Sequence, residues 1–121
     1  MNVGIVGQGF VGSAIREGLK DFHTVLTYDI DSEKSMASSL KEVVENSTII
    51  FVCLPTPMRK SGECDTRIVE KTVKSIDEIA ESLEKKDKVV VIKSTVPPGT
   101  TNKVASQCKN IYVAFSPEFL T

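Results

Sequence analysis

The glycines of "GQGFVG" (Gly7, Gly9 and Gly12), the acid Asp29 and the acid Glu118 are the residues of this 121-residue chain whose types and spacing suggest chemistry. G-x-G-x-x-G between a β-branched run and an amphipathic stretch turns backbone N–H groups and the positive end of a helix toward one point, where a pyrophosphate can bind. The first glycine allows the tight turn, the second the close approach of phosphate, and the third the packing of helix on strand. Asp29 follows Gly12 by seventeen residues, near the spacing of about 20 expected for an acid that meets a ribose. A carboxylate there accepts hydrogen bonds from both adenosine ribose hydroxyls of NAD and repels the 2′-phosphate of NADP. No arginine lies within "YDIDSEKS" to reverse that preference, so the expected cofactor is NAD.

Further polar groups follow the later apolar runs. Pro55 and Pro57 stiffen the turn in "LPTPMRKSGECD" and leave Thr56 available to contact a cofactor. Ser94 and Thr95 come at the end of "KVVVIK", where hydroxyls can meet a nicotinamide carboxamide or a reacting water, or can cap the turn. Glu118, after "IYVAF", reaches the same edge and has the character of a general base or of a solvated loop residue. His23 precedes the second strand on the opposite edge and is expected at the surface.

Five strands are needed to position these groups: "VGIV", "TVLTYD", "TIIFVCL", "KVVVIK" and "IYVAF". Their continuous apolar character suggests a parallel sheet covered on both faces by crossover helices. Val11, Ile15 and Leu19 with Ala14, Gly18 and Phe22 form one face of the first helix, and Gly18 implies close packing there. Ser39 and Glu42 make a capping box for a short second helix that turns Leu40, Val43 and Val44 inward. A long helix from Asp65 or Thr66 presents Val69, Val73, Ile76, Ala80 and Leu83, and a last short one follows "PPGT" with Thr100 as its cap. If the second strand passes over the first to reach the third, strand order reverses between the first and third, and ligands bind at that switch point. The reading is a Rossmann-like three-layer α/β/α domain with a mainly parallel sheet of five or six strands.

Composition narrows the function. The net charge of −1, from fifteen basic and sixteen acidic residues, lacks the one-sided balance that attraction to nucleic acid or an anionic membrane requires. The longest apolar run, Ile49 to Leu54, falls far below the roughly 20 residues of a membrane span, and a cytoplasmic location is expected. Cys53, Cys64 and Cys108 are widely spaced, with one histidine in the whole chain, so no metal site is expected. Cys53 reads as a buried, reduced small hydrophobe.

"GQGFVG", "YDID", "CLPTP" with "SGECD", "IKSTVPPGTT" and "SPEFL" together resemble the N-terminal domain of the nucleotide-sugar 6-dehydrogenases, the UDP-glucose and GDP-mannose dehydrogenase family. Such enzymes oxidise a primary alcohol to a carboxylate in two NAD-dependent hydride transfers through a cysteine thioester. The resemblance implies that Gly7, Gly9, Phe10, Val11 and Gly12 hold the pyrophosphate and Asp29 the adenosine ribose. It implies that Leu54, Pro55 and Thr56 line the cofactor, with Ser94 beside Thr95, and that Thr95 positions a water while Glu118 assists thioester hydrolysis.

Departures accompany the likeness. Only nineteen residues separate Asp29 from Ile49, where the family carries a longer insert; Ser116 replaces its asparagine and Ser61 its aspartate before glycine. None of the three cysteines has the nucleophile's context. Residues 1–121 are therefore expected to be one dinucleotide-binding domain, inactive alone, with the substrate and C-terminal domains absent. Alternatives are a non-catalytic module that binds NAD or a nucleotide sugar and works through a protein partner, and a cofactor domain like those of the hydroxyacid and 6-phosphogluconate dehydrogenases. A flavodoxin-like or receiver domain shares the strand order but not the glycine loop.

Overall fold

The computed structural model describes residues 1–57, 60–62, 65–85, 87–97 and 99–116, and of Phe10 the backbone alone. Glu118 and Cys64 lie outside the described residues. In chain order the elements are β1 (Asn2–Val6), α1 (Phe10–Leu19), β2 (Thr24–Tyr28), a 3-10 turn (Ser32–Lys34), α2 (Leu40–Asn46), β3 (Ile49–Val52), α3 (Arg67–Ser82), β4 (Lys88–Ile92), α4 (Thr100–Gln107) and β5 (Ile111–Phe115). The strands form one five-stranded sheet in the order β2-β1-β3-β4-β5, and every neighbouring pair is parallel. The order reverses between β1 and β3, so the loops after those strands face each other across the switch point.

The local signals explain the elements. Ser39 caps α2 by accepting a hydrogen bond from the Glu42 backbone N–H, and Val43 and Val44 are fully buried. The helical spacing of α3 buries Val69, Val73, Ile76 and Ala80, each such aliphatic group of valine size or larger contributing about 1.5–3 kcal/mol. These meet Ile50, Val52, Val90 and Ile92 from the sheet in one core. Asp77, buried in α3, accepts the backbone N–H groups of Lys109 at 3.1 Å and Asn110 at 2.7 Å and so ties the entry of β5 to α3.

Several local expectations are corrected. α1 ends at Leu19, and Phe22, expected on its sheet face, is 80 % exposed. Gly18 has nothing within 4 Å of where a Cβ would stand, so it is not a packing contact. The cap of α4 is Gly99, with Thr100 already helical. His23 is half-buried, and its enclosed Nδ1 has no hydrogen-bond partner among the described residues. Cys53 is half-buried rather than part of the core. The expected three layers are present: among the described residues α1 packs against β1 and β2 on the face opposite α2.

Candidate cofactor site

The glycine loop is built by exclusion. Gly7 has φ +98, a left-handed conformation open to glycine, and a Cβ there would stand 2.6 Å from the Cys53 carbonyl oxygen. At Gly12 a Cβ would lie 1.9 Å from the Gly7 carbonyl oxygen, so the first turn of α1 can close onto the loop only without a side chain. At Gly9, the N-cap of α1, a Cβ would meet nothing within 4 Å. That open space lies at the positive end of α1, whose first turn contains no acidic residue and whose cap makes no side-chain hydrogen bond. An anion therefore finds room and uncompensated backbone dipoles there.

Asp29 stands at the end of β2, and its carboxylate accepts the Gln8 backbone N–H at 2.7 Å and the Asp31 backbone N–H at 2.9 Å. Gly7 donates its N–H to the Tyr28 carbonyl at 2.8 Å. The acid and the glycine loop are thus one hydrogen-bonded unit. Across the switch point, the Ser94 hydroxyl donates to the Leu54 carbonyl at 2.7 Å and fixes the loop after β3 against the end of β4. Ser94 is buried in this task, whereas Thr95 is exposed at the rim.

These groups enclose a cleft of about 520 Å³, within the size range of small-molecule sites. Gly7, Gly9, Val11 and Asp29 line one side, and Leu54, Pro55, Thr56, Ser94 and Thr95 the other. Gly12 does not line the cleft; it is buried beneath the loop. The side chain of Phe10 and all of Glu118 lie outside the described residues.

The cleft also contains groups that motif reading passed over. Ile30, 90 % exposed, and Ile68, 43 % exposed, supply apolar walls near Asp29. Lys34 comes to the mouth from the 3-10 turn, and Cys53 and Lys93 line the cleft just past the ends of β3 and β4. Lys34 was legible in the sequence as a cation five residues past Asp29. Among the described residues no cluster of three or more His, Cys, Asp or Glu could hold a metal ion, and no helix is long and apolar enough to cross a membrane.

The fold and this cleft define a dinucleotide-binding α/β domain. Residues 34–121 match the UDP-glucose/GDP-mannose dehydrogenase family, NAD binding domain. The chain belongs to that family and is its NAD-binding domain. It is 30% identical to the UDP-glucose 6-dehydrogenase of Rickettsia felis, with 99% of this chain and 34% of that protein covered. It is 32% identical to an uncharacterised protein of Methanocaldococcus jannaschii, covering 99% of this chain and 16% of that protein. The solved structure of a UDP-glucose dehydrogenase from Pyrobaculum islandicum superposes with a TM-score of 0.83 at 25% identity, over 99% of this chain and 36% of that one. The chain thus spans about a third or less of the length of these proteins. The Rickettsia alignment runs over 155 positions, so about 35 positions of that enzyme face no residue here.

Proposed function

We propose that residues 1–121 are a single cofactor-binding unit of a nucleotide-sugar 6-dehydrogenase, which in its complete form oxidises the primary alcohol of a nucleotide sugar to a carboxylate. The observation that carries the reading is the joining of Asp29 to the glycine loop beside the open space at Gly9. Within it, Gly7, Gly9, Phe10 and Val11 form the pyrophosphate cradle, Gly12 lets α1 close beneath it, and Asp29 takes the adenosine ribose between Ile30 and Ile68. Leu54, Pro55, Thr56 and Ser94 form the opposite wall. Thr95 orients a water at the reacting end, and Glu118 is the acid-base group that serves the acyl intermediate. NAD, when bound, supplies the hydride acceptor; the chain's own residues bind it, orient it and discriminate against a 2′-phosphate. The nucleotide sugar and the nucleophilic cysteine belong to the remainder of the family's polypeptide, and the reading places the protein in the cytoplasm.

Calorimetric titration of the 121-residue chain with NAD and, separately, NADP tests this. NAD is expected to bind with clear preference, and at 100 times its dissociation constant to stabilise the fold by about 2.7 kcal/mol. UDP-glucose with NAD is expected to yield no NADH. Equal affinity for both cofactors, or turnover by this chain alone, overturns the reading.

A further inference from the structure

A second cleft, of about 400 Å³, opens between α1 and the 3-10 turn, and Lys34 is the one lining residue it shares with the cofactor cleft. Its volume is within the size range of small-molecule sites. Hydrogen bonds within the chain hold its walls. The Ser13 hydroxyl donates to the Gln8 carbonyl at 3.1 Å and the Ser35 hydroxyl to the Ala37 carbonyl at 2.6 Å, while Thr27, buried beneath, accepts the Met36 backbone N–H at 3.2 Å. With the serine hydrogens committed, the side chains left to donate into the cleft are Arg16, Lys34 and Gln8. Gln8 is 8 % exposed and donates one amide hydrogen to the Gly7 carbonyl at 3.3 Å, which leaves the other without an acceptor among the described residues. Neither Arg16 nor Lys34 makes an ion pair among the described residues, and Glu17, next to Arg16, is held by Lys20 at 2.9 Å.

Two unpaired cations and a buried amide match a dianion with several acceptor oxygens. A phosphate ester has a charge of about −1.5 to −2 at neutral pH and three terminal oxygens, and a guanidinium meets two of them at once. A carboxylate, with a single charge, would leave one cation unmatched. Glu33 lines the same cleft; it repels a bare anion and accepts hydroxyl groups, so the phosphate ester of a hydroxyl-bearing carbon chain satisfies both parts of the lining.

We propose that this cleft binds the phosphate group of a small phosphorylated polyol through Arg16, Lys34 and Gln8, and that its occupation opposes cofactor binding. Lys34 is the link, because it lines both clefts: a flexible cation paired with phosphate on one side is withdrawn from the anionic cofactor on the other. Such coupling is reciprocal, so the cofactor weakens the ester by the same factor. The coupling rests on the cofactor reading above; the site does not.

Titration of the isotope-labelled 121-residue chain with glucose 6-phosphate, inorganic phosphate and glucose, at constant ionic strength and followed by NMR, tests the site. The Gln8 side-chain amide and Arg16 Nε signals are expected to shift and saturate with glucose 6-phosphate, at several-fold lower concentration than with inorganic phosphate, and to ignore glucose. Arg16→Gln is expected to keep the melting temperature and to weaken the Gln8 response several-fold, Arg16→Lys to restore part of it, and the Gly9 backbone signal, which reports an anion in the glycine loop, to respond equally in all three. Shifts confined to Gly9, or a Gln8 response equal in the unchanged chain and Arg16→Gln, overturn the site; equal affinity for inorganic phosphate and glucose 6-phosphate overturns the polyol ester as its ligand. NAD affinity is expected to fall several-fold when glucose 6-phosphate saturates the unchanged chain and to be indifferent to it in Arg16→Gln. An equal fall in both puts the ester in the cofactor cleft and overturns the coupling. A chain that binds no NAD overturns the cofactor reading alone, and the Gln8 and Arg16 signals still decide the site.

Discussion

The Asp29 carboxylate and the Gln8 backbone N–H meet at 2.7 Å across the ends of β2 and β1, so the acid proposed to take the ribose also holds the glycine loop. Asp29→Ala leaves the Gln8 and Asp31 N–H groups without their acceptor. It is expected to cost about 1–3 kcal/mol of stability, measured by urea unfolding. Its NAD affinity is expected to fall by more than about tenfold, a loss of roughly 1.4 kcal/mol, while the preference over NADP disappears. A variant that keeps the preference would separate the loop-holding role from recognition.

Gly9 and Gly12 are separable by substitution. Gly12→Ala drives a methyl group into the Gly7 carbonyl, 1.9 Å away, and is expected to destabilise the domain by about 1–3 kcal/mol or more through overpacking. Gly9→Ala meets no atom and is expected to cost less than about 1 kcal/mol, as an N-cap change, while placing its methyl where a phosphate must approach. Thermal unfolding and NAD titration of the two variants check the pair: Gly12→Ala lowers stability, and Gly9→Ala lowers ligand affinity with little loss of stability.

What the residues revealed depended on how far their role reached. The strands were legible because each is a short β-branched run, and the switch point followed from their order. α2 was legible through its Ser39 cap, a contact within three residues. The ends of α1 were not: the apolar spacing continues to Phe22, but the chain leaves the helix after Leu19 and turns that ring to solvent. Ile30, Lys34 and Ile68 escaped notice because a 3-10 turn and a distant helix bring them together, and no spacing in the chain encodes that meeting. The continuous apolar character of the strands also announced layers on both faces, and among the described residues α1 lies on one face with α2, α3 and α4 on the other.

Gly18 turns one of these corrections into a test. It lies within α1 with open space where a Cβ would be, so the cost of glycine in a helix is offset by no contact. Gly18→Ala is expected to stabilise the domain by about 0.5–1 kcal/mol and to raise the melting temperature by a few degrees. A destabilised variant would mean that the position is closed by packing after all.

Glu70 links α3 to α4 and sets part of the acid limit of the fold. Its carboxylate accepts the Thr66 hydroxyl at 2.8 Å and pairs with the Lys103 ammonium at 3.1 Å. The Thr66 hydrogen bond, followed by Lys103, holds its pKa below the ordinary value of 4.5, against the opposing effect of burial. A carboxyl whose folded pKa is depressed binds its proton more readily in the unfolded chain. Its contribution is therefore fully present above the ordinary value of 4.5 and is lost as pH falls through the lower folded value. Glu70→Gln is expected to cost about 1 kcal/mol near neutral pH and to flatten the acid limb of stability, measured by urea unfolding across that range. Stability that declined with acid identically in both proteins would assign the limb to other carboxylates and leave the α3 to α4 link without weight.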